Sequence, residues 1–435
     1  MEVIGPYTAI IGVSVIIIIS YFFNIISQKT NVPSVLMLIA LGLLIKQGMN
    51  WAGISAGDLL FNILELLGIV GLIMIVLEAA LDLRLSKEKW PTIWKSFSVA
   101  LLSLLISSLS CAYIINYFII SDFFTSLIYA VPLSIMSSAI IIPSVGGLSQ
   151  HKKEFMVYEG TFSDILGIML FYFLIGNAEA DNAQVVAFDV FSNIFITVGL
   201  SVLISYALVL IFQKMTSQVK LFLLIAVLLI LYSVGKLFHL SSLLIILIFG
   251  LVLNNHQLFF KGMLKKWIKP TQVKRVLEDF HLVTIESAFV VRTFFFVLFG
   301  VTISISSLFN LEVAIISVCV LLALYLIRLL MIKLFLQKDI FPQLFIAPRG
   351  LITILLFFAI PDEYKNEAFD SGILLYTIII SCIIMAVALV SSGKNVIPIE
   401  DMSFIYGPSN SDEPEKLESD SIQNIEAVGS DDEKS

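Results

Sequence analysis

Charge is scarce in this chain. Only 14% of its 435 residues are Asp, Glu, Lys or Arg, whereas 59% are hydrophobic, and the mean hydropathy is +1.00. Soluble domains carry about 25% charged residues, so a soluble globular protein is excluded and an all-α polytopic membrane protein is expected. Cysteine is rare as well. Cys111, Cys319 and Cys382 all fall in apolar stretches, which leaves neither a disulfide framework nor a metal-binding spacing. The four histidines, His151, His239, His256 and His281, lie near the ends of such stretches and read either as interfacial groups or as pH sensors. The sequence lacks a Walker loop, a Rossmann glycine signature and a zinc motif, so nothing in it points to nucleotide or zinc chemistry.

What the chain has in abundance is long apolar runs. Windows of ~20 apolar residues place about thirteen spans near residues 8–27, 32–50, 60–82, 95–118, 124–148, 155–176, 188–213, 219–237, 240–254, 280–303, 311–335, 341–360 and 370–391. The first is expected to remain a span rather than act as a signal peptide, because no basic residue precedes Lys29 and no small-residue cleavage site follows. Basic residues collect in alternate loops. One set holds Lys29, the Arg84–Lys95 cluster, Lys152, Lys153, Lys214, Lys220, the Lys261–Arg275 cluster, Lys333 and Lys338; the other holds Lys46, Lys236 and Lys365. The first set is expected in the cytoplasm, with the N-terminus outside and the C-terminus inside. From about Glu400 the sequence turns polar and acidic, contributing to the net charge of −7. Such a segment buries too little apolar surface to fold, and it reads as a disordered cytoplasmic tail, merely solvated or regulatory. The stretch LFFKGMLKKWIKP, from Leu258 to Pro270, reads as a basic amphipathic helix on the membrane surface, in reach of anionic lipid, or as a simple connector.

Ionisable residues at membrane depth cost ~2.5–3.5 kcal/mol each on insertion scales and mark function by default. Here they are Glu65, Glu78, Glu159, Asp164, Glu286, Arg292, Arg328 and Arg349. In YEGTFSDILG, Glu159 and Ser163 are one helical turn apart and share a face, and Asp164 sits about 100° around from Ser163. Arg328 is the one cation in the middle of its span, and an arginine can hold a carboxylate bidentately. A Glu159–Arg328 pair leaves Asp164 without a fixed counter-charge, able to trade a proton for a metal cation, since desolvation disfavours a bare carboxylate. The competing reading is one structural network of all three. Helix breakers occur in two spans: LSIMSSAIIIPSVGG, with Ser134, Ser137, Ser138 and Pro143, and LFIAPRGLITILL, with Pro348, Arg349 and Gly350. Interrupted helices seven spans apart are what an inverted repeat yields, with the breaks lining an ion site near the midplane; the alternative is two packed proline kinks. Arg349 is placed to compensate helix C-terminal dipoles. Glu65, Glu286 and Arg292 find no assignment.

These residues resemble, in order over roughly residues 10–392, the monovalent cation:proton antiporters of the sodium/proton exchanger type. YEGTFSDILG is similar to that family's E-x-x-x-N-D motif, VLEAALDLRL to its F-E-G-G-L segment with Glu78 on the glutamate, NVPSVLMLIALGLLI to its early Pro…Gly helix, RTFFFVLFGVTIS to its Phe-rich segment ending here at Gly300, and APRGLITILL to its Pro-Arg-Gly helix. The resemblance implies an NhaA-like antiporter fold. In it, residues 1–92 and 219–305 form a scaffold and homodimer face, the second containing a basic cytoplasmic segment at 256–279. Residues 93–178 and 306–392 form a core with two crossing broken helices, 179–218 is a linker helix, and 393–435 is the tail. It also implies a site in which Asp164 binds the Na⁺ or K⁺ ion and the proton, with Ser163, Ser137 and Ser138 as further ligands. Glu159 and Arg328 would form a structural ion pair, and Pro143 and Arg349 would support the broken helices. No cofactor, catalytic residue or nucleic-acid partner is implied, and the membrane is the bacterial inner membrane.

Two departures refine that expectation. Ser163 stands where the electroneutral branch has Asn and the electrogenic branch a second Asp, so one aspartate titrates and one cation should exchange per proton. Ala139 and Ile140 stand where many members have Thr-Asp, so Ser137 or Ser138 must supply the hydroxyl. Ser-Ser here is similar to potassium-efflux relatives, which keeps K⁺ beside Na⁺. A channel or sensor on the same fold is the alternative from another class. An intramembrane aspartyl protease is disfavoured, because Asp164 is the one aspartate well inside a span.

Overall fold

The computed structural model describes residues 6–392, apart from residues 31, 52–69, 72, 82, 84, 87, 177–182, 215–219, 238–241, 261–265, 303–309 and 338–339. Glu65, Arg84, Lys87 and the acidic tail therefore lie outside the described residues. Helix occurs within each of the thirteen expected stretches, and no strand is present among the described residues. In order they are α1 (Pro6–Thr30), α2 (Ser34–Trp51), α3 (helical residues within 70–81), α4 (Trp90–Phe118), α5 (Phe123–Ser134), α6 (Ser138–Ser144), α7 (Gln150–Gly176), α8 (Ala183–Phe212), α9 (Lys220–Leu237), α10 (Ser242–Asn254), α11 (His256–Phe259), α12 (Pro270–Thr302), α13 (Leu311–Leu336), α14 (Leu351–Phe358) and α15 (Gly372–Ser391). In hydrocarbon a backbone must satisfy its own polar groups, and helix does so within one segment. Eight of these segments are long and apolar enough to cross a membrane, Phe123–Ser144 counted as one; Thr197–Phe212, Ile225–Gly235 and Leu243–Asn254 are shorter apolar helices.

Local signals start three of the helices. Pro91 sits in the first turn of α4, where its missing N–H costs nothing. Asp122 caps α5 by accepting from the Thr125 N–H at 2.7 Å, and Asn310 caps α13 by accepting from the Glu312 N–H at 3.0 Å.

Two packing groups follow. In one, α2 crosses α12 at Gly42 and Gly300: a Cβ on either would stand within 3.0 Å of the other's Cα, so only glycine permits the approach. Across this group Ser20 of α1 meets Thr293 of α12, oxygen to oxygen at 2.6 Å. The opposite face of α1 is open, with Tyr7, Ile10, Ile11 and Tyr21 exposed. In the other, α4 packs against α5, α7 and α13, and α13 against α15, around a dense apolar interior that includes Val99, Leu104, Ile128, Phe155, Phe171, Val320 and Ile378.

Residues 261–265 of the basic amphipathic segment 256–279 lie outside the described residues. Its described part holds one α-turn at His256–Phe259 and 3₁₀ geometry at residues 266 and 267, and α12 already begins at Pro270. Gln213, at the end of α8, fastens this connector: its Nε2 donates to the Trp267 carbonyl at 2.8 Å and its Oε1 accepts from the Lys269 N–H at 2.9 Å. With those backbone groups bound to a side chain, the chain turns rather than continues as helix.

Candidate functional site

The fifth span breaks between α5 and α6. Residues 135–137 are not helical, with Ile135 and Ser137 extended, and their backbone donors must look elsewhere. Three successive N–H groups find partners outside the segment. Met136 donates to Ser163 Oγ at 3.0 Å, Ser137 to the Pro348 carbonyl at 2.9 Å, and Ser138 to Asp164 Oδ2 at 3.1 Å. The break thus falls among the serines, and Pro143 lies inside α6. Pro143 is the penultimate residue of α6, so its missing N–H removes one hydrogen bond from the end of a short helix. Ser134, whose hydroxyl bonds back to Ala130 at 2.9 Å, closes the last turn of α5.

The twelfth span is more irregular than a broken helix. Residues 341–345 form hydrogen-bonded turns, 346–350 are non-helical, and helix begins only at Leu351. Pro342 and Pro348 each lack an N–H, which denies this stretch a regular ladder. Two arginines satisfy its carbonyls. Arg328, 3% exposed, donates from Nε to Leu344 at 2.9 Å and from Nη2 to Gln343 at 2.8 Å and Ile346 at 3.1 Å. The same guanidinium grips Glu159, Nη1 to Oε1 at 2.7 Å and Nη2 to Oε2 at 3.2 Å. Arg349 donates from Nε to the Leu133 carbonyl at the end of α5, at 2.8 Å, and from Nη1 to Ala347 at 2.9 Å. It therefore satisfies one buried backbone carbonyl at each interruption.

Between these clamps lies Asp164, 1% exposed, on α7. Its Oδ2 accepts from both the N–H and the hydroxyl of Ser138. Its Oδ1 is buried and has no hydrogen-bond partner, and the Ser137 hydroxyl is in the same condition. The α7 face here is shaped by small residues: side chains on Gly160 and Gly167 would press on Ile141 and Ile135, so their absence admits the break. Gly350 plays the same part from the other interruption, since a Cβ there would come within 2.9 Å of the Ser137 side chain.

The sequence-derived site residues thus separate by role. Asp164, Ser138, Ser137 and Ser163 meet at the first interruption; the Ser163 oxygen is turned to the Met136 N–H. Glu159 and Arg328 form a closed pair one helical turn away, and Pro143 stands apart. One arrangement escaped sequence reasoning. Arg292 of α12 reaches Glu78 of α3, Nη2 to Oε2 at 3.1 Å and to Oε1 at 3.3 Å, joining residues 214 positions apart. No spacing rule relates two helices so distant in the chain. Glu286 is exposed.

Non-helical segments that cross at membrane depth, each satisfied by protein rather than lipid, define a secondary transporter embedded in the membrane. The profile described as sodium/hydrogen exchanger, transmembrane, matches residues 13–391, so this chain belongs to that family of transporters, not to an enzyme family. The fold is shared with the sodium proton antiporter MjNhaP1 from Methanocaldococcus jannaschii. One structure, at pH 8, superposes with a TM-score of 0.65 at 19% identity, covering 88% of this chain and 95% of that one. A second, by electron microscopy, gives 0.61 at 18% identity over 89% and 96%. No curated protein sequence matches the chain.

Proposed function

We propose that this family member exchanges one monovalent cation, Na⁺ first, for one proton, and that both ligate the Asp164 carboxylate in turn. The observation that carries the reading is the buried Asp164 Oδ1 without a partner. A buried carboxylate oxygen left unsatisfied is costly, and either a proton or a hard cation supplies what it lacks. Oxygen suits alkali cations, and the Ser137 hydroxyl, also unpartnered, is a second donor on the same interruption. Glu159 is excluded from ligation by its two bonds to Arg328. With one exchanging carboxylate the cycle moves no net charge.

Exchange proceeds by alternating access. Residues 93–178 and 306–392 form a core that carries Asp164 past a scaffold of 1–92 and 219–305. The open apolar face of α1 supports a homodimer. The alternating basic loops support an inner-membrane protein with its C-terminus in the cytoplasm. The test is reconstitution into proteoliposomes with an internal pH dye. Li⁺, Na⁺ and K⁺ are added across a pH series, with the voltage clamped by an ionophore. Asp164→Asn, folded by size-exclusion and thermal melt, is expected to be silent. Normal exchange by that variant would end this reading, and exchange that tracks voltage would end the one-for-one stoichiometry. Uptake of K⁺ in preference to Na⁺ would reassign the cargo, and cation flux without proton movement would make the protein a channel.

A further inference from the structure

Buried hydroxyls in these helices mostly satisfy themselves by bonding back to the carbonyl one turn earlier. Ser134, Thr284, Ser317 and Thr377 all do so, at 2.7–2.9 Å. Thr161 does not. It lies on α7, is 0% exposed, and its Oγ1 has no hydrogen-bond partner. A hydroxyl buried in that state is costly unless something else completes it. Ser103, Ser108, Tyr325 and Thr353 also hold unpartnered hydroxyls, but of these five residues only Thr161 shares a helix with an unpartnered buried carboxylate oxygen, that of Asp164.

Helical geometry fixes the relation between the two. Thr161 precedes Asp164 by three positions on one continuous helix, so their Cβ atoms are ~5–6 Å apart, near enough for one ion to sit between their oxygens. Side chains on a helix lean back over the preceding turn, which for Asp164 holds Gly160 and Thr161. Gly160 leaves space there, with Ser138 beside it: a Cβ on Gly160 would stand 3.4 Å from Ser138 Cα and 3.5 Å from its Cβ. Ser138 occupies Asp164 Oδ2 with its N–H and hydroxyl, and Oδ1 is left over. We propose that the Thr161 hydroxyl is a further ligand of the transported cation, so that Asp164 Oδ1 and Thr161 Oγ1 share one ion with Ser137 Oγ of the interruption. The inference rests on Asp164 as the exchanging carboxylate. One carboxylate and two neutral hydroxyls present a single negative charge and three hard oxygens, which suits an alkali cation. A proton needs Oδ1 alone, so Thr161 strengthens the hold on the cation and not on the proton.

The experiment reads Na⁺ binding on the full-length chain in two ways: the Na⁺ concentration needed for a given rise in melting temperature, with choline replacing Na⁺ at constant ionic strength, and KM for Na⁺ in proteoliposomes at one alkaline pH. An ion that binds only the folded chain raises its melting temperature by mass action. Thr161→Val keeps the shape of the side chain and removes the hydroxyl. It is expected to raise both quantities about tenfold, the scale of one polar contact to a charged group, and to leave turnover at saturating Na⁺ near that of the parent. Without Na⁺ it is expected to melt no lower than the parent, because a buried polar group without a partner has been removed. Thr161→Ser, which keeps the hydroxyl, is expected to bind Na⁺ as the parent does. Parental Na⁺ dependence in Thr161→Val overturns the proposal. So does a Thr161→Ser variant weakened as much as Thr161→Val, since the methyl group and not the hydroxyl would then matter, and so does a fall in melting temperature and turnover with KM unmoved, the mark of a packing role. Should Thr161→Val fail to fold, Thr161→Ala carries the same expectations. Asp164→Asn run beside them separates the two readings. A Na⁺-dependent rise in melting temperature that survives Asp164→Asn removes the carboxylate and this inference with it, whereas loss of the rise in Asp164→Asn with parental behaviour in Thr161→Val removes only the role of Thr161.

Discussion

Ser137 donates its backbone N–H to the carbonyl of Pro348 at 2.9 Å, which joins the two interruptions directly. Nothing bulky separates them, because Gly350 lies against the Ser137 side chain. The crossing is therefore a backbone contact, and its tolerance for added volume is small.

Gly350→Ala is expected to push the interruptions apart. The new Cβ would fall at 2.8 Å from Ser137 Oγ and 2.9 Å from Ser137 Cβ, a distance real side chains avoid. Overpacking of this kind costs about 1–3 kcal/mol. A lower melting temperature in detergent, with a fall in Na⁺/H⁺ exchange, checks it. An unchanged melt would mean the crossing yields freely.

Arg328→Gln is expected to be more damaging. It strands Glu159 as a buried charge and leaves the carbonyls of residues 343, 344 and 346 without their donor. Breaking a buried ion pair from one side costs about 3–5 kcal/mol. Arg328→Lys is expected to rescue only part of this, since an ammonium cannot span the carboxylate and three carbonyls at once. The Glu159→Gln/Arg328→Gln double variant should melt above Arg328→Gln alone, because no bare charge remains.

Ser138→Ala is expected to move the pH at half-maximal exchange upward. The Ser138 hydroxyl donates to the Asp164 carboxylate, which favours the ionised, cation-accepting form. Hydrogen bonds to charged groups contribute about 1.5–3 kcal/mol, and one pKa unit corresponds to about 1.36 kcal/mol, so a shift of the order of one pH unit is expected. A dye-based pH profile at saturating Na⁺ measures it; an unmoved midpoint would show that the backbone N–H alone sets the carboxylate's protonation.

Outside the membrane, Asp122→Ala is expected to destabilise α5 by about 1 kcal/mol. Hydrogen bonds from Thr125 hold the Asp122 carboxyl below the usual carboxylate range. A lowered pKa means stability that is present above the ordinary carboxylate value and fades as pH falls through the folded one. The variant should therefore lose stability at neutral pH and converge with the parent in acid. Melting curves at neutral and strongly acidic pH test both halves.

How much of this was legible beforehand depends on the range of the interaction. Asp164 stood out because a carboxylate in an apolar run is anomalous within a few residues of sequence. Arg328 was matched to Glu159 by elimination, as the central cation of its span, and the bidentate geometry fits that reasoning. The interruption of the fifth span was foreseen from Ser134, Ser137, Ser138 and Pro143, and the break at residues 135–137 falls among the serines. What the sequence did not show is that α7 and Pro348 supply the partners of its N–H groups. The fastening of Trp267 and Lys269 by Gln213 was likewise invisible, because it joins segments more than fifty residues apart.

Hydropathy and charge act locally, so the chain by itself determined its class, the places of its helices and the one aspartate in the membrane that lacked a plain counter-charge. Only the tertiary structure decided that Arg292 faces Glu78, that Gly350 makes room for Ser137, and that one oxygen of Asp164 ends without a partner. Those outcomes depend on which helices touch, and contact between segments hundreds of residues apart leaves no period or spacing in a single sequence.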